Sequence, residues 1–151
     1  MLAAPVAAAE AAAPALSAGT MQDLGTLSGG TSSVGRAIND QGQVAGYGDT
    51  ADGSDHAFLW SASDGMQDLG TLGGTVSSGQ AINEHGQVAG LSNTADGSLH
   101  AFLWSGSGGM QDLGTLSGGL TSLGQALNEQ GQGAGYGDTA DGSMHAFLWT
   151  P

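Results

Sequence analysis

Cysteine is absent and basic residues almost so: Arg36 is the one Lys or Arg in 151 residues, against 14 Asp and Glu and a net charge of −13. Without thiols no disulfide framework can form, nor any zinc site built on thiolates. A surface of this sign repels phosphate backbones and anionic lipid, which argues against nucleic acid and membrane surfaces as partners. Aromatic residues amount to only 5%. There are three prolines, and glycine does not fall at every third position, so collagen is excluded. No apolar run is long enough to be a transmembrane helix. What is abundant is small: 29 Gly and 23 Ala make up about a third of the chain. Val, Ile, Leu, Met, Phe, Tyr and Trp together number 36. A core built from so few large side chains must place them at regular positions.

Self-similarity supplies that regularity. Met21-Gln22-Asp23-Leu24-Gly25-Thr26-Leu27 returns at Met66 to Leu72 and at Met110 to Leu116. Ala37-Ile38-Asn39 returns as Ala81-Ile82-Asn83 and Ala126-Leu127-Asn128. Gly42-Gln43-Val44-Ala45-Gly46 returns at Gly86 to Gly90 and, with Gly133 in place of the valine, at Gly131 to Gly135. His-Ala-Phe-Leu-Trp stands at His56–Trp60, His100–Trp104 and His145–Trp149. The chain therefore divides into residues 1–18 and a β-repeat domain over 19–151, with copies at 21–65, 66–109 and 110–151.

Each copy holds four short apolar runs bounded by turn residues, and none has helical spacing or length. The runs predict strands at Gln22–Leu27, Ser33–Ile38, Gln43–Tyr47 and Ala57–Trp60, with counterparts in the other copies. Asn39-Asp40-Gln41-Gly42 predicts a hairpin turn whose glycine takes positive φ. Four antiparallel strands in one such unit match the size of a β-propeller blade. Phe58, Leu59 and Trp60 are then expected to pack on both faces, between neighbouring blades. The fold class read from the residues is all-β, with tandem four-stranded antiparallel repeats as propeller-like blades; a compact threefold barrel of the β-trefoil kind is the alternative. Met21–Leu27 is the strand expected to pair with the terminal copy and close the array.

Met1 to Ala18 is of another kind, with ten alanines, Pro5, Pro14 and Glu10. It reads either as a truncated secretory signal ending in small residues or as an Ala/Pro leader.

The ordered words Met-Gln-Asp-Leu-Gly-Thr-Leu, Ala-Ile-Asn, Gly-Gln-Val-Ala-Gly and His-Ala-Phe-Leu-Trp resemble the bacterial extracellular HAF-repeat family over Met21 to Trp149. The family's tripeptide is seen here as His56-Ala57-Phe58, His100-Ala101-Phe102 and His145-Ala146-Phe147. The resemblance implies a secreted or surface protein of a bacterium, usually with a longer tandem array, and no established catalytic activity. The chain departs from the family pattern in having three copies and in Gly133.

Chemistry-bearing residues recur with the repeat. His56, His100 and His145 share one blade position. A ring of imidazoles binds metal only if the rings converge; each histidine is more simply a strand cap that bonds a turn. Asp49, Asp52 and Asp55, echoed by Asn93 and Asp96 and by Asp138 and Asp141, cluster oxygen ligands at a glycine turn, as Ca²⁺ prefers. Their spacing is not that of an EF-hand, and Asp-Gly steps equally serve hairpins. Asp23, Asp68 and Asp112 are expected to accept hydrogen bonds from turn amides. Three equivalent environments do not separate an acid from a base as glycoside hydrolysis requires. The chain also has no nucleophile elbow and no phosphate loop with its lysine. The expected function is thus non-enzymatic: a binding or scaffolding module for a protein or glycan. The alternatives are an accessory fragment of a larger secreted or carbohydrate-active protein and a passive cell-surface array. No cofactor is expected, calcium at those aspartates excepted. Association into an oligomeric ring, or membership of a longer array, follows from apolar blade faces that three copies leave exposed.

Overall fold

A computed structural model describes residues 18–151; the leader expected over 1–18 lies, save for Ala18, outside the described residues. The described chain is all-β, with eleven strands in three antiparallel sheets. The first sheet runs in the order β1 (Ser33–Ile38), β2 (Val44–Asp49), β3 (Asp55–Ser61), β4 (Gly65–Asp68). The second repeats it with β5 (Gly73–Ile82), β6 (Val88–Thr94), β7 (Leu99–Ser105), β8 (Gly109–Asp112). The third comprises β9 (Ser122–Leu127), β10 (Gly133–Asp138) and β11 (Met144–Trp149). No sheet closes into a barrel, so the trefoil-like alternative does not hold.

The hairpins form where polar turn words interrupt the apolar runs. At Asn39–Gly42 the Gly42 amide donates to the Asn39 carbonyl at 3.0 Å, and Gly42 takes φ of 75°. Asn39 also caps the turn, accepting from the Gln43 amide through its side-chain oxygen at 2.9 Å.

One expectation needs correction. Gln22–Leu27 belongs to no sheet. The equivalent words Gly65–Asp68 and Gly109–Asp112 are strands, but as the fourth strands of the sheets that precede them, paired to β3 and β7. The first and second sheets thus each straddle the boundary between two sequence copies. Nothing in a Met-Gln-Asp word demands extended pairing by itself; it needs the edge of a His-Ala-Phe-Leu-Trp strand beside it, and among the described residues no such edge lies beside Met21–Asp23. The array is accordingly not closed by Met21–Leu27 on the terminal copy.

The sheets stack face on face, and each interface joins unlike faces. Strand alternation puts Ala45, Ala57 and Leu59 on one side of the first sheet. They share one buried cluster with Val88, Phe102 and Trp104 from the opposite side of the second sheet, sealed by Leu69. The second sheet presents Ala101 and Leu103, both buried, to the third. Close approach needs glycine at these crossings. A Cβ on Gly79 would lie 3.1 Å from the Gly46 carbonyl oxygen, and one on Gly124 2.9 Å from that of Gly90. The first strands β1, β5 and β9 touch in succession, the edge along which blades converge.

Gly133 takes the place of Val88, a fully buried member of the core cluster. A Cβ there would meet only ordinary contacts, the nearest at 3.7 Å from Leu113. The third sheet is correspondingly less filled: Phe147 and Trp149 are half-buried, whereas Phe102 and Trp104 are buried.

Candidate functional site

The recurrent histidines do not converge. Two of the three are tied to an aspartate of the neighbouring strand: His56 Nδ1 lies 2.9 Å from Asp68 Oδ2, and His100 Nδ1 2.9 Å from Asp112 Oδ2. With a carboxylate as acceptor, Nδ1 carries the donated proton. The same aspartates cap the following turn, accepting from the amides of Gly70 at 2.8 Å and Gly114 at 2.7 Å. Asp23 accepts from Gly25 at 2.9 Å in the same way. The turn role expected for Asp23, Asp68 and Asp112 is therefore present, and the histidine partner is what the reading of the residues missed. The signal was there, since histidine and aspartate recur in step across the third hairpin. A His–Asp pair resembles two-thirds of a hydrolytic triad. Among the described residues no hydroxyl is hydrogen-bonded to either ring, and each pair joins the third strand of its sheet to the fourth.

The acidic loop residues divide between two turns. Asp49 reaches back to the glycine-rich loop before β1, accepting from the amides of Thr31 at 2.9 Å and Ser32 at 2.6 Å and from the Thr31 hydroxyl at 2.8 Å. Donation from the Ser32 amide, then from Thr31, holds its carboxyl down at about 2. Asp138 does the same for Leu120 and Thr121, and its carboxyl is lowered chiefly by the Thr121 amide. In the second copy Asn93 accepts from Val76 at 2.7 Å.

Asp52 instead caps its own hairpin, accepting from the Thr50 hydroxyl at 2.6 Å and the Ser54 amide at 2.9 Å. Asp96 and Asp141 repeat this with Thr94 and Ser98 and with Thr139 and Ser143. These hydroxyls, first among the causes, lower all three carboxyls. Asp55 stands opposite Asp49 in the strand register. Among the described residues no three His, Asp or Glu side chains gather to hold a metal ion.

Two further polar series cross from sheet to sheet. The buried Ser77 hydroxyl accepts from the Ala57 amide at 2.8 Å and donates to the Gly70 carbonyl; Ser122 does so for Ala101 and Gly114. Asn39 Nδ2 donates to the Asn83 carbonyl, and Asn83 Nδ2 to that of Asn128, each at 3.0 Å. Among the described residues no buried side-chain nitrogen or oxygen lacks a partner. These recurrent polar residues hold turns and strands together, and the hairpin tips Thr50–Ser54, Thr94–Ser98 and Thr139–Ser143 are among the exposed turns that recur. No protein-family model matches the chain, and no curated protein matches it.

Proposed function

We propose that this chain is a non-enzymatic β-repeat scaffold, secreted or at a bacterial cell surface, that presents recurring loops to a protein or glycan partner. One observation supports this above others: His56 and His100 and the capping aspartates have internal partners, while three Thr-Ala-Asp-Gly-Ser tips stand exposed at equivalent places in successive sheets. Identical tips on a rigid stack suit a repetitive partner, because weak contacts multiply when several are engaged together. The resemblance to HAF repeats supports the extracellular assignment. Immobilised full chain screened against glycan and protein arrays tests the reading. Binding that is lost when Ala51, Ala95 and Ala140 are together replaced by Lys, with an unchanged melting curve, would support it. Turnover of a screened substrate would defeat it, and silence on both arrays would leave a purely structural array.

A further inference from the structure

Among the described residues the stacking rule of this fold leaves two unlike faces unpartnered, and they are the two halves of one interface. The third sheet turns outward the face that carries Leu148, which is 69% exposed, whereas its counterparts Leu59 and Leu103 are each 8% exposed. At the opposite end the first sheet turns outward the face carrying Ile38, also 69% exposed. In the second sheet this position is Ile82, packed against the core.

The polar halves match as well. Each internal junction unites a histidine with an aspartate, a β-strand amide with a serine hydroxyl, and an asparagine amide with an asparagine carbonyl. The third sheet offers the first member of each pair in His145, the Ala146 amide and Asn128. The beginning of the described chain offers the second in Asp23, Ser33 and the Asn39 carbonyl. The receiving half is already shaped. Asp23 caps the Gly25 turn and the Ser33 hydroxyl donates to the Gly25 carbonyl at 2.7 Å, as Asp68 and Ser77 do around Gly70. Leu27 is buried although Met21–Asp23 pairs with no strand. Preorganisation of this kind lowers the ordering cost of association.

We propose that β11 and the outward face of the third sheet dock the Met21–Leu27 segment and first sheet of a second copy of this chain, head to tail. Met21–Asp23 becomes the fourth strand of the partner's third sheet, in the register Phe147 with Asp23, Leu148 with Gln22 and Trp149 with Met21 that β3–β4 and β7–β8 already use. The occupant is a second copy because the face it covers continues an interface the chain makes twice with itself. Such a contact is heterologous, so it closes into a ring or extends. Two copies supply six blades, within the range of closed propellers. This inference stands apart from the binding role proposed above.

The absence of cysteine makes the test clean. Chains carrying Gln22→Cys and chains carrying Leu148→Cys are treated with a short thiol-specific crosslinker, singly and mixed. Rapid joining in the mixture, well above either variant alone, is expected; equal or greater joining within single variants would overturn the proposal. Light scattering of the unmodified 151-residue chain is expected to give a mass of two or more chains that falls on dilution. A monomer at every concentration would overturn it. His145→Ala is expected to weaken association about tenfold, with the dilute monomer's melting curve unchanged. Association unaffected by that change would place the contact elsewhere.

Discussion

Glycine serves two distinct ends in this chain, and substitution separates them. Gly46 lies in mid-strand, where a Cβ would fall 2.0 Å from the Val34 carbonyl oxygen and 2.9 Å from the Phe58 ring. Both are fixed by the sheet, so Gly46→Ala should cost about 3 kcal/mol or more. Gly53 has φ of 83° and nothing near its absent side chain; Gly53→Ala meets only the left-handed backbone penalty, about 1 kcal/mol. Urea unfolding of the two variants checks the order, and a Gly53 variant equal to or worse than the Gly46 variant would contradict it. The aspartates carry a second prediction at this scale. Asp49 is held at about 2 against an ordinary value of 3.8. Its folded value is the lower one, so the stability it contributes is present above the ordinary value and lost as pH falls through that window towards the folded value. Asp52, Asp96, Asp138 and Asp141 shift the same way. The melting temperature should therefore drop as pH is lowered from 3.8 to about 2. Asp49→Asn should melt lower at neutral pH and show a shallower acid slope; an unchanged slope would mean that Asp49 contributes nothing through its charge.

At the scale of the element, the junction between sheets depends on one hydroxyl. Ser77→Ala leaves the buried Ala57 amide and Gly70 carbonyl without their partner, a loss of roughly 2–4 kcal/mol. Ser33 makes only the equivalent of the Gly70 contact, to Gly25, so Ser33→Ala in the dilute chain should cost under about 1 kcal/mol. Chemical denaturation of the pair tests the assignment, since equal losses would mean the hydroxyl's sheet-to-sheet bond is immaterial. The strands themselves were legible where local chemistry decides them. Ser33–Ile38 matches β1 in both bounds, and the runs at Gln43–Tyr47 and Ala57–Trp60 fall on β2 and β3 within a few residues. Alternation and a turn glycine are local properties, and a single chain displays them. The role of Met-Gln-Asp is not local. Met66–Asp68 and Met21–Asp23 share one tripeptide, yet only the first has a strand edge beside it. For the same reason the His56–Asp68 pair escaped a reading that treated the two words as separate turn residues, because the contact exists only once the fourth strand joins the preceding sheet.

For the whole molecule, charge and stacking pull in opposite directions. Fourteen acidic groups face one arginine, and that arginine lies in the β1 bulge over the Tyr47 ring at 5.3 Å, paired to an aromatic face instead of a carboxylate. Most acidic side chains sit on the turns that border the sheets, where hydrogen bonds satisfy them but opposite charge does not. Stacking three sheets brings these rows of turns together. The turns at Asp40, Glu84 and Glu129 show the accommodation, each carboxylate of a later copy accepting an amide of the one before: the Asp40 amide to Glu84 at 2.7 Å and the Glu84 amide to Glu129 at 3.1 Å. These bonds relieve local repulsion without removing the net −13. Repulsion of that kind is screened within about 10 Å at 0.1 M salt, and compaction suffers from it more than the extended chain does. The melting temperature at neutral pH should therefore rise when sodium chloride is raised from about 10 to 500 mM, opposite to a fold stabilised by surface ion pairs. The increment should shrink as pH approaches the carboxyl range and the charges are neutralised. Calorimetric scans over the two variables decide the matter: a melting temperature that falls with salt, or a salt effect that persists undiminished in acid, would show that self-repulsion is not what limits the stability of this stack.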